Sequence, residues 1–212
     1  MKSFLTVNTP ASSIDLTTRD AVKGEFGITG TAEDTQLATW ITQASAIIAK
    51  ECNAVFGAED VTQTFAHVIA FGTQRRGSPE LNLLRFPVIE IESLTEDGIT
   101  LEEDTDFSVD KETGILYRLT GGSVRDWWAR DITVTYQGGY SLPGSSPPEL
   151  ARACTIFVRH MRASARRDPL VKSVNVPNVI QRDYWVGPVG QNAALPPEVD
   201  ALLTEWRRPA FG

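Results

Sequence analysis

A change of hydrophobic period along the chain narrows the fold more than any other feature. Leu37, Trp40, Ile41, Ala44, Ile47, Ile48 and Cys52 recur at three- and four-residue spacing, the apolar stripe of an amphipathic helix. From Val61 to Tyr136 the period drops to two, with β-branched residues alternating with polar ones and Asp-Gly or Thr-Gly stops between the runs. After Pro147-Pro148-Glu149 the helical period returns. Leu150, Cys154, Phe157, Val158, Met161 and Ala165 fall on one side, and Arg152, Arg159, Arg162 and Arg166 on the other. A chain that must bury two helical stripes and a set of half-buried strands is α+β. The expected form is a mainly helical body, two long amphipathic helices plus short N- and C-terminal helices, with an inserted antiparallel β-meander lobe.

Local signals place the boundaries. Residues 1–16, polar and rich in Thr, Ser and Pro, read as a flexible N-terminal arm that orders on contact. Thr17 or Thr18 caps a short helix that stops at Gly27, and the first long helix runs to about Phe56-Gly57. Strands are expected over Val61 to Val68, Leu81 to Phe86, Ile89 to Leu94 and Ile132 to Tyr136. Asp97-Gly98 and Glu112-Thr113-Gly114 supply turns. The helical body thus covers 17–171 with the β insertion at about 61–136. Residues 172–212 form an irregular excursion bearing Tyr184 and Trp185, then a short helix opened by Pro196-Pro197-Glu198, and a tail.

Charge is uneven. Net charge is -7 over 212 residues, yet between Glu90 and Glu112 every charged residue except Lys111 is a carboxylate, while from Glu149 to Lys172 cations dominate against only Glu149 and Asp168. A bipolar subunit suits packing of one copy's acidic face on another's basic face. The arginine stripe has three readings, in order: a protein interface, a solvated helix face, and a contact to a nucleic-acid backbone, the last disfavoured by the acidic total and by the lack of interleaved aromatics. Arg152, Arg159, Arg162 and Arg166 are therefore candidate subunit-interface residues. Tyr184 and Trp185 are candidate partner-interface residues, as large aromatics on an irregular segment.

Signals for chemistry are weak. No Gly-x-Ser-x-Gly surrounds a serine, and the two histidines, His67 and His160, stand in a strand pattern and on the basic helix. No zinc or calcium motif occurs. Glu102-Glu103-Asp104-Thr105-Asp106 reads as a solvated acidic loop, and Gly24 to Gly30 lacks the Gly-Lys-Ser/Thr ending of a nucleotide loop. No catalytic residue, metal or cofactor is expected; an enzyme would need scattered carboxylates such as Glu51, Glu102 and Asp126 to converge. Cys52 and Cys154 occupy apolar helical positions and read as buried thiols of a reducing compartment. No apolar run approaches the roughly 18 residues of a membrane span, and the first residues lack a leader pattern, so a soluble cytosolic product without a membrane partner is expected.

The order of several phrases resembles the head-tail connector (adaptor or head completion) proteins of long-tailed bacteriophages. They are Leu16-Thr17-Thr18, the helix with Leu37, Ile41 and Ala44-Ser45-Ala46, Arg85-Phe86-Pro87-Val88 to Ser93, and Asp97-Gly98. Phe107-Ser108-Val109-Asp110 to Gly114-Ile115-Leu116, Val134 to Tyr140, Pro148-Glu149-Leu150 and Leu195 to Val199 follow, so the resemblance spans about 16–206. It implies a structural virion protein, made in the host bacterial cytoplasm and placed at the virion neck. There, as a dodecameric ring, it would dock under the portal protein, extend the DNA channel without sequence-specific binding, and present a platform to the next neck or tail protein. Another neck or tail-completion part of the same particle is the alternative within this class.

Overall fold

The computed structural model describes residues 2–66, 77–165, 173–176, 180–183 and 195–208. The chain divides into two compact units, a β unit of Met1–Ser12 and Val55–Ser141 and a helical unit of Ser13–Ala54 and Leu142–Gly212. Mixed α+β architecture with an antiparallel β lobe is thus the fold.

In the β unit, β1 (Lys2–Thr9), β2 (Glu59–Ala66), β4 (Val88–Glu96), β5 (Ile99–Thr100) and β9 (Asp131–Gly138) form a five-stranded sheet ordered β1-β2-β9-β4-β5. A second sheet joins β3 (Leu81–Asn82), β6 (Phe107–Asp110) and β7 (Ile115–Thr120) in the order β3-β7-β6, with β8 (Ser123–Arg125) also on β7. Every pairing between these strands is antiparallel. The order is not that of a simple meander, because β9 inserts between β2 and β4. Residues 2–9, expected as an arm without structure of its own, are an edge strand instead. Their alternation with Thr62 and Thr64 on one side and Val61, Gln63 and Phe65 on the other matches the pleat of β2.

Turn chemistry explains the hairpins. Asp97 (φ 48°) and Gly98 (φ 83°) adopt the left-handed pair of a type I′ turn between β4 and β5. The Asp97 carboxylate also accepts from the amides of Arg130 and Asp131, at 2.9 and 3.0 Å, tying the turn to the start of β9. Asp110 accepts from the amides of Glu112 and Thr113, and hydrogen bonding by Thr113 holds its carboxyl below the usual range. A Cβ on Gly138 would lie 2.4 Å from the Arg85 carbonyl oxygen, so only glycine admits that crossing.

Trp127, Phe107, Leu116, Ile132, Val134 and Leu94 form the β core, all 2% exposed or less. Gln63 is a polar side chain buried within this unit. Fully buried, it donates to the Asn82 carbonyl at 3.0 Å and accepts from the Leu84 amide at 3.0 Å and the Tyr136 hydroxyl at 2.9 Å. That hydroxyl in turn accepts from the Arg85 amide at 3.0 Å. This is why the strand expected over Leu81 to Phe86 ends at Asn82: the donors of Leu84 and Arg85 are met by side chains, not by a neighbouring strand.

In the helical unit, α1 (Arg19–Phe26) is capped by the Thr18 hydroxyl, which accepts from the Ala21 amide, and ends at Gly27 with φ 65°. The long helices are α2 (Asp34–Glu51) and α3 (Pro148–Ala165), followed by α4 (Pro197–Leu202) and a 3₁₀ turn over Thr204–Trp206. α2 stops short of the expected Phe56 because Asn53 turns left-handed (φ 49°), and the Cys52 carbonyl accepts from the Arg208 amide at 2.9 Å. Leu37, Ile41, Ala44, Ser45 and Ile48 of α2 and Leu150, Ala153, Cys154, Phe157 and Val158 of α3 are buried. Ser45 Oγ and Cys154 Sγ meet at 3.5 Å, a close approach that small residues permit. The excursion after α3, expected to be irregular, contains an antiparallel hairpin of β10 (Ser173–Val176) and β11 (Ile180–Asp183).

Replacing Gln63 with Leu leaves the Leu84 amide and Asn82 carbonyl without partners, and urea unfolding is expected to show a loss of about 2–4 kcal/mol. Burial pushes the Tyr136 hydroxyl from its ordinary 10 up to about 12. An acid with a raised folded pKa stabilises the fold fully below its unfolded value, so this contribution disappears between about pH 10 and pH 12. Tyr136→Phe should remove that segment of the alkaline stability profile.

Candidate interaction site

The arginine face of α3 gathers acidic residues from the other end of the sequence. Glu25 and Phe26 sit in the last turn of α1, which Gly27 terminates, and Glu33 stands at the cap position of α2. Arg152 Nη1 reaches Glu25 Oε1 at 2.6 Å, and Arg159 Nη2 bonds the same oxygen. Arg162 grips Glu33 with two bonds, Nε to Oε2 at 2.8 Å and Nη2 to Oε1 at 3.2 Å. That fork makes its guanidinium still harder to deprotonate. The guanidinium carbons of Arg159 and Arg162 lie 5.8 and 5.6 Å from the centre of the Phe26 ring, within cation–π range.

Two sequence-predicted site residues, Arg159 and Arg162, are thereby brought together over one aromatic ring, in an open cleft of about 370 Å³ lined by Glu25, Phe26, Arg159, Arg162 and Ala163, and Arg152 joins them through Glu25. Arg152 and Arg159 stay about half exposed, at 50% and 48%, so the face is accessible. Among the described residues, three guanidiniums meet two carboxylates here, one positive charge more than negative. Such a surface can accept a carboxylate or another planar anion. Arg166, Tyr184 and Trp185 lie outside the described residues. Nearby, Asp34 takes Lys23 at 2.7 Å and Arg19 at 3.6 Å, and the Lys23 bond lowers its pKa.

Sequence reasoning missed Glu25, Phe26 and Glu33. Glu25 is 127 residues from Arg152, so no local spacing could reveal the pair. The acidic stretch of the β unit is also partly neutralised, by arginines of β7 and β8. Arg118, a buried residue, bonds Glu96 at 2.8 Å and Asp106 at 3.4 Å, and Arg125 reaches Glu96 at 3.4 Å. Glu90 and Glu92 remain exposed on β4.

Burial pushes the Cys52 and Cys154 thiols up to about 11 and about 12, so neither is a thiolate at neutral pH. Within the acidic loop, the Asp106 carboxylate accepts from the Glu102 amide at 3.2 Å. Among the described residues no group of three or more His, Cys, Asp or Glu is arranged to hold a metal ion, and no helix is long and apolar enough to cross a membrane.

Comparison with known proteins follows the same line. Residues 15–168 match the family of head completion proteins (HCP). This chain belongs to that family. A head completion protein is a structural connector component of a phage-like particle and not an enzyme. No curated protein matches the chain. Its fold is similar to a chain in the neck of an empty GTA particle, at 16% identity and TM-score 0.55, covering 98% of this chain and 97% of that one. A chain in the neck of a native GTA particle computed with C12 symmetry gives 16% identity and TM-score 0.53 with the same coverage. One in the virion of a native gene transfer agent gives 15% and 0.54, again with 98% and 97% covered.

If the Glu25 pairs hold this head completion protein's arginine face in place, Glu25→Lys should destabilise it by about 1 kcal/mol at low salt. In about 1 M salt the difference from the wild type should largely vanish. Thermal melts at both ionic strengths check this.

Proposed function

We propose that this head completion protein acts as a ring-forming adaptor at the head-tail junction, with twelve copies docking beneath the portal and offering a platform to the next neck or tail protein. The observation that carries this reading is the likeness of nearly the entire chain, 98% of it, to a chain from a particle neck computed with C12 symmetry. Head-to-tail contacts between identical subunits close into rings when the rotation allows, and a subunit with separate acidic and basic faces suits that geometry. The excess positive charge on the α3 face, with Arg152, Arg159, Arg162 and Arg166, is the proposed half of one subunit boundary. The exposed Glu90 and Glu92 of a neighbour are the proposed other half. Glu25 and Glu33 preset the guanidiniums, so a neighbour meets an ordered surface and loses less side-chain entropy on docking. Exposed ion pairs contribute about 0–1 kcal/mol each, so the charges set orientation more than strength. Tyr184 and Trp185 are proposed as anchors for the portal or the next neck protein. DNA passes through the channel without sequence readout.

Native mass spectrometry of the protein, alone and after mixing with capsids that lack tails, tests the reading. Twelve copies retained on the portal-bearing vertex are expected; a chain that stays monomeric with such capsids, or that binds only tail tube, would overturn it. The Arg159→Glu, Arg166→Glu double variant should assemble at least tenfold less well with an unchanged circular dichroism spectrum. Wild-type assembly by that variant would remove the arginines from the boundary.

A further inference from the structure

β1 is an unusual strand for what it buries. Of its side chains only Leu5 is even partly buried, and it packs against the β core. Phe4 and Val7 are 61% and 41% exposed. What holds the strand is its antiparallel register on β2, from Lys2 opposite Ala66 to Thr9 opposite Asp60, and a bond from Asn8 Nδ2 to Thr62 Oγ1 at 2.9 Å. The slot it fills does need a strand. Val61, Gln63 and Phe65 of β2 are 0%, 0% and 4% exposed, and on its other edge β2 is already paired with β9.

The chain continues through Pro10, Ala11 and Ser12 and enters the helical unit at Ser13. Anchoring begins almost at once: Leu16 is fully buried, its amide donates to Ser45 Oγ at 2.9 Å, and Asp15 accepts from the Thr42 hydroxyl at 2.8 Å. A lightly held strand of one unit is thus tied by a short proline-containing connection to a firmly held segment of the other, the arrangement in which exchange of an element between copies costs little.

We infer that in the assembled ring β1 leaves its own sheet and occupies the same slot on β2 of the adjacent copy, linking neighbours by strand exchange; the inference rests on the ring-forming reading above. The hydrogen bonds, the Leu5 contact and the threonine contact are the same in both arrangements, so no new complementary surface is required. Fixed neighbours in a ring supply the high effective concentration that turns a neutral exchange into a stable link. Lys2 is the strand's one charged side chain, so moving it onto a net-acidic neighbour meets no repulsion. The opposite edge of the sheet is defended. β4 is bulged between Val88 and Glu90 and between Ile91 and Ser93, carries Glu90 and Glu92, and is flanked by β5. β1 has no inward charge and no proline within it, and its one register shift, between Val7 and Thr9, falls at its last residues.

The test uses the cross-strand pair Phe4 and Thr64, which face each other in the register. A Phe4→Cys chain and a Thr64→Cys chain are mixed, assembled on tail-less capsids and mildly oxidised; the native thiols are 0% exposed and stay silent. Exchange predicts a reducible band near twice the 23.3 kDa monomer mass, and in the Phe4→Cys, Thr64→Cys double variant a ladder of linked chains. Rings that form normally but give only monomer bands, with an internal bridge in the double variant, would overturn the exchange and leave the ring intact. Failure of the wild type to assemble overturns both.

Discussion

Gln63 sets the frame of the β unit. A fully buried amide in a β core is tolerable only if its polar atoms find partners, and these come from β9, from β3 and from the segment after β3. A slip of β2 by one residue would expose Gln63, turn Thr62 and Thr64 inward and leave the Leu84 amide without an acceptor. Register is therefore specified by polar satisfaction as well as by apolar burial. The same register aligns Thr62 with Thr135 and Thr64 with Thr133 across the outer face, with hydroxyls 3.3 and 3.4 Å apart. It also fixes the edge on which β1 lies. A strand that buries little of its own depends on a neighbour whose register cannot drift.

The helical unit solves a different problem. Small residues, Ala44 and Ser45 on α2 and Ala153 and Cys154 on α3, let the two long helices approach closely, and the Cys154 thiol turns toward the Ile41 carbonyl and Ser45 hydroxyl. With one face of α3 committed inward, its arginines must face out. Glu25 and Glu33 then meet them, leaving the surface ordered and only slightly cationic. The unit thus converts a repulsive row of like charges into a patterned face without spending the row's accessibility.

What could be read before any coordinates follows from the range of the forces involved. The Thr18 cap, the Gly27 stop, the Asp97-Gly98 turn and the stripes of α2 and α3 are set by residues within a turn or two of each other, and the sequence displays them. The insertion of β9 between β2 and β4 depends on which distant strand offers the matching face, and alternation alone does not name it. Leu81 to Phe86 has a strand's composition, but Gln63 and Tyr136 capture its amides from far along the chain. Lys2 to Thr9 carries Phe4, Leu5 and Val7 but puts only Leu5 even partly out of water, and the backbone bonds that hold it leave no trace in a hydrophobic pattern. The Glu25 and Glu33 partners of the arginines were hidden for the same reason of separation, although a carboxylate beside an aromatic at the end of a short helix is a modest hint of docking.

The paired state of the arginines also bears on DNA. A guanidinium that neutralises a phosphate contributes to affinity by releasing condensed counterions, and the gain is largest when it starts unpaired. Arg162 is held in a two-bond fork by Glu33, and Arg152 and Arg159 share Glu25, so a phosphate would have to displace a carboxylate already in place. A net charge of -7 adds long-range repulsion. A face built this way discriminates by chemistry as well as by shape. In the proposed ring it would add a carboxylate from a neighbouring subunit, while a polyanion that must recruit every guanidinium gains little. On the proposed reading, in which DNA passes through the ring, Glu25 and Glu33 partly neutralise the arginines without removing the geometry that a protein partner can use.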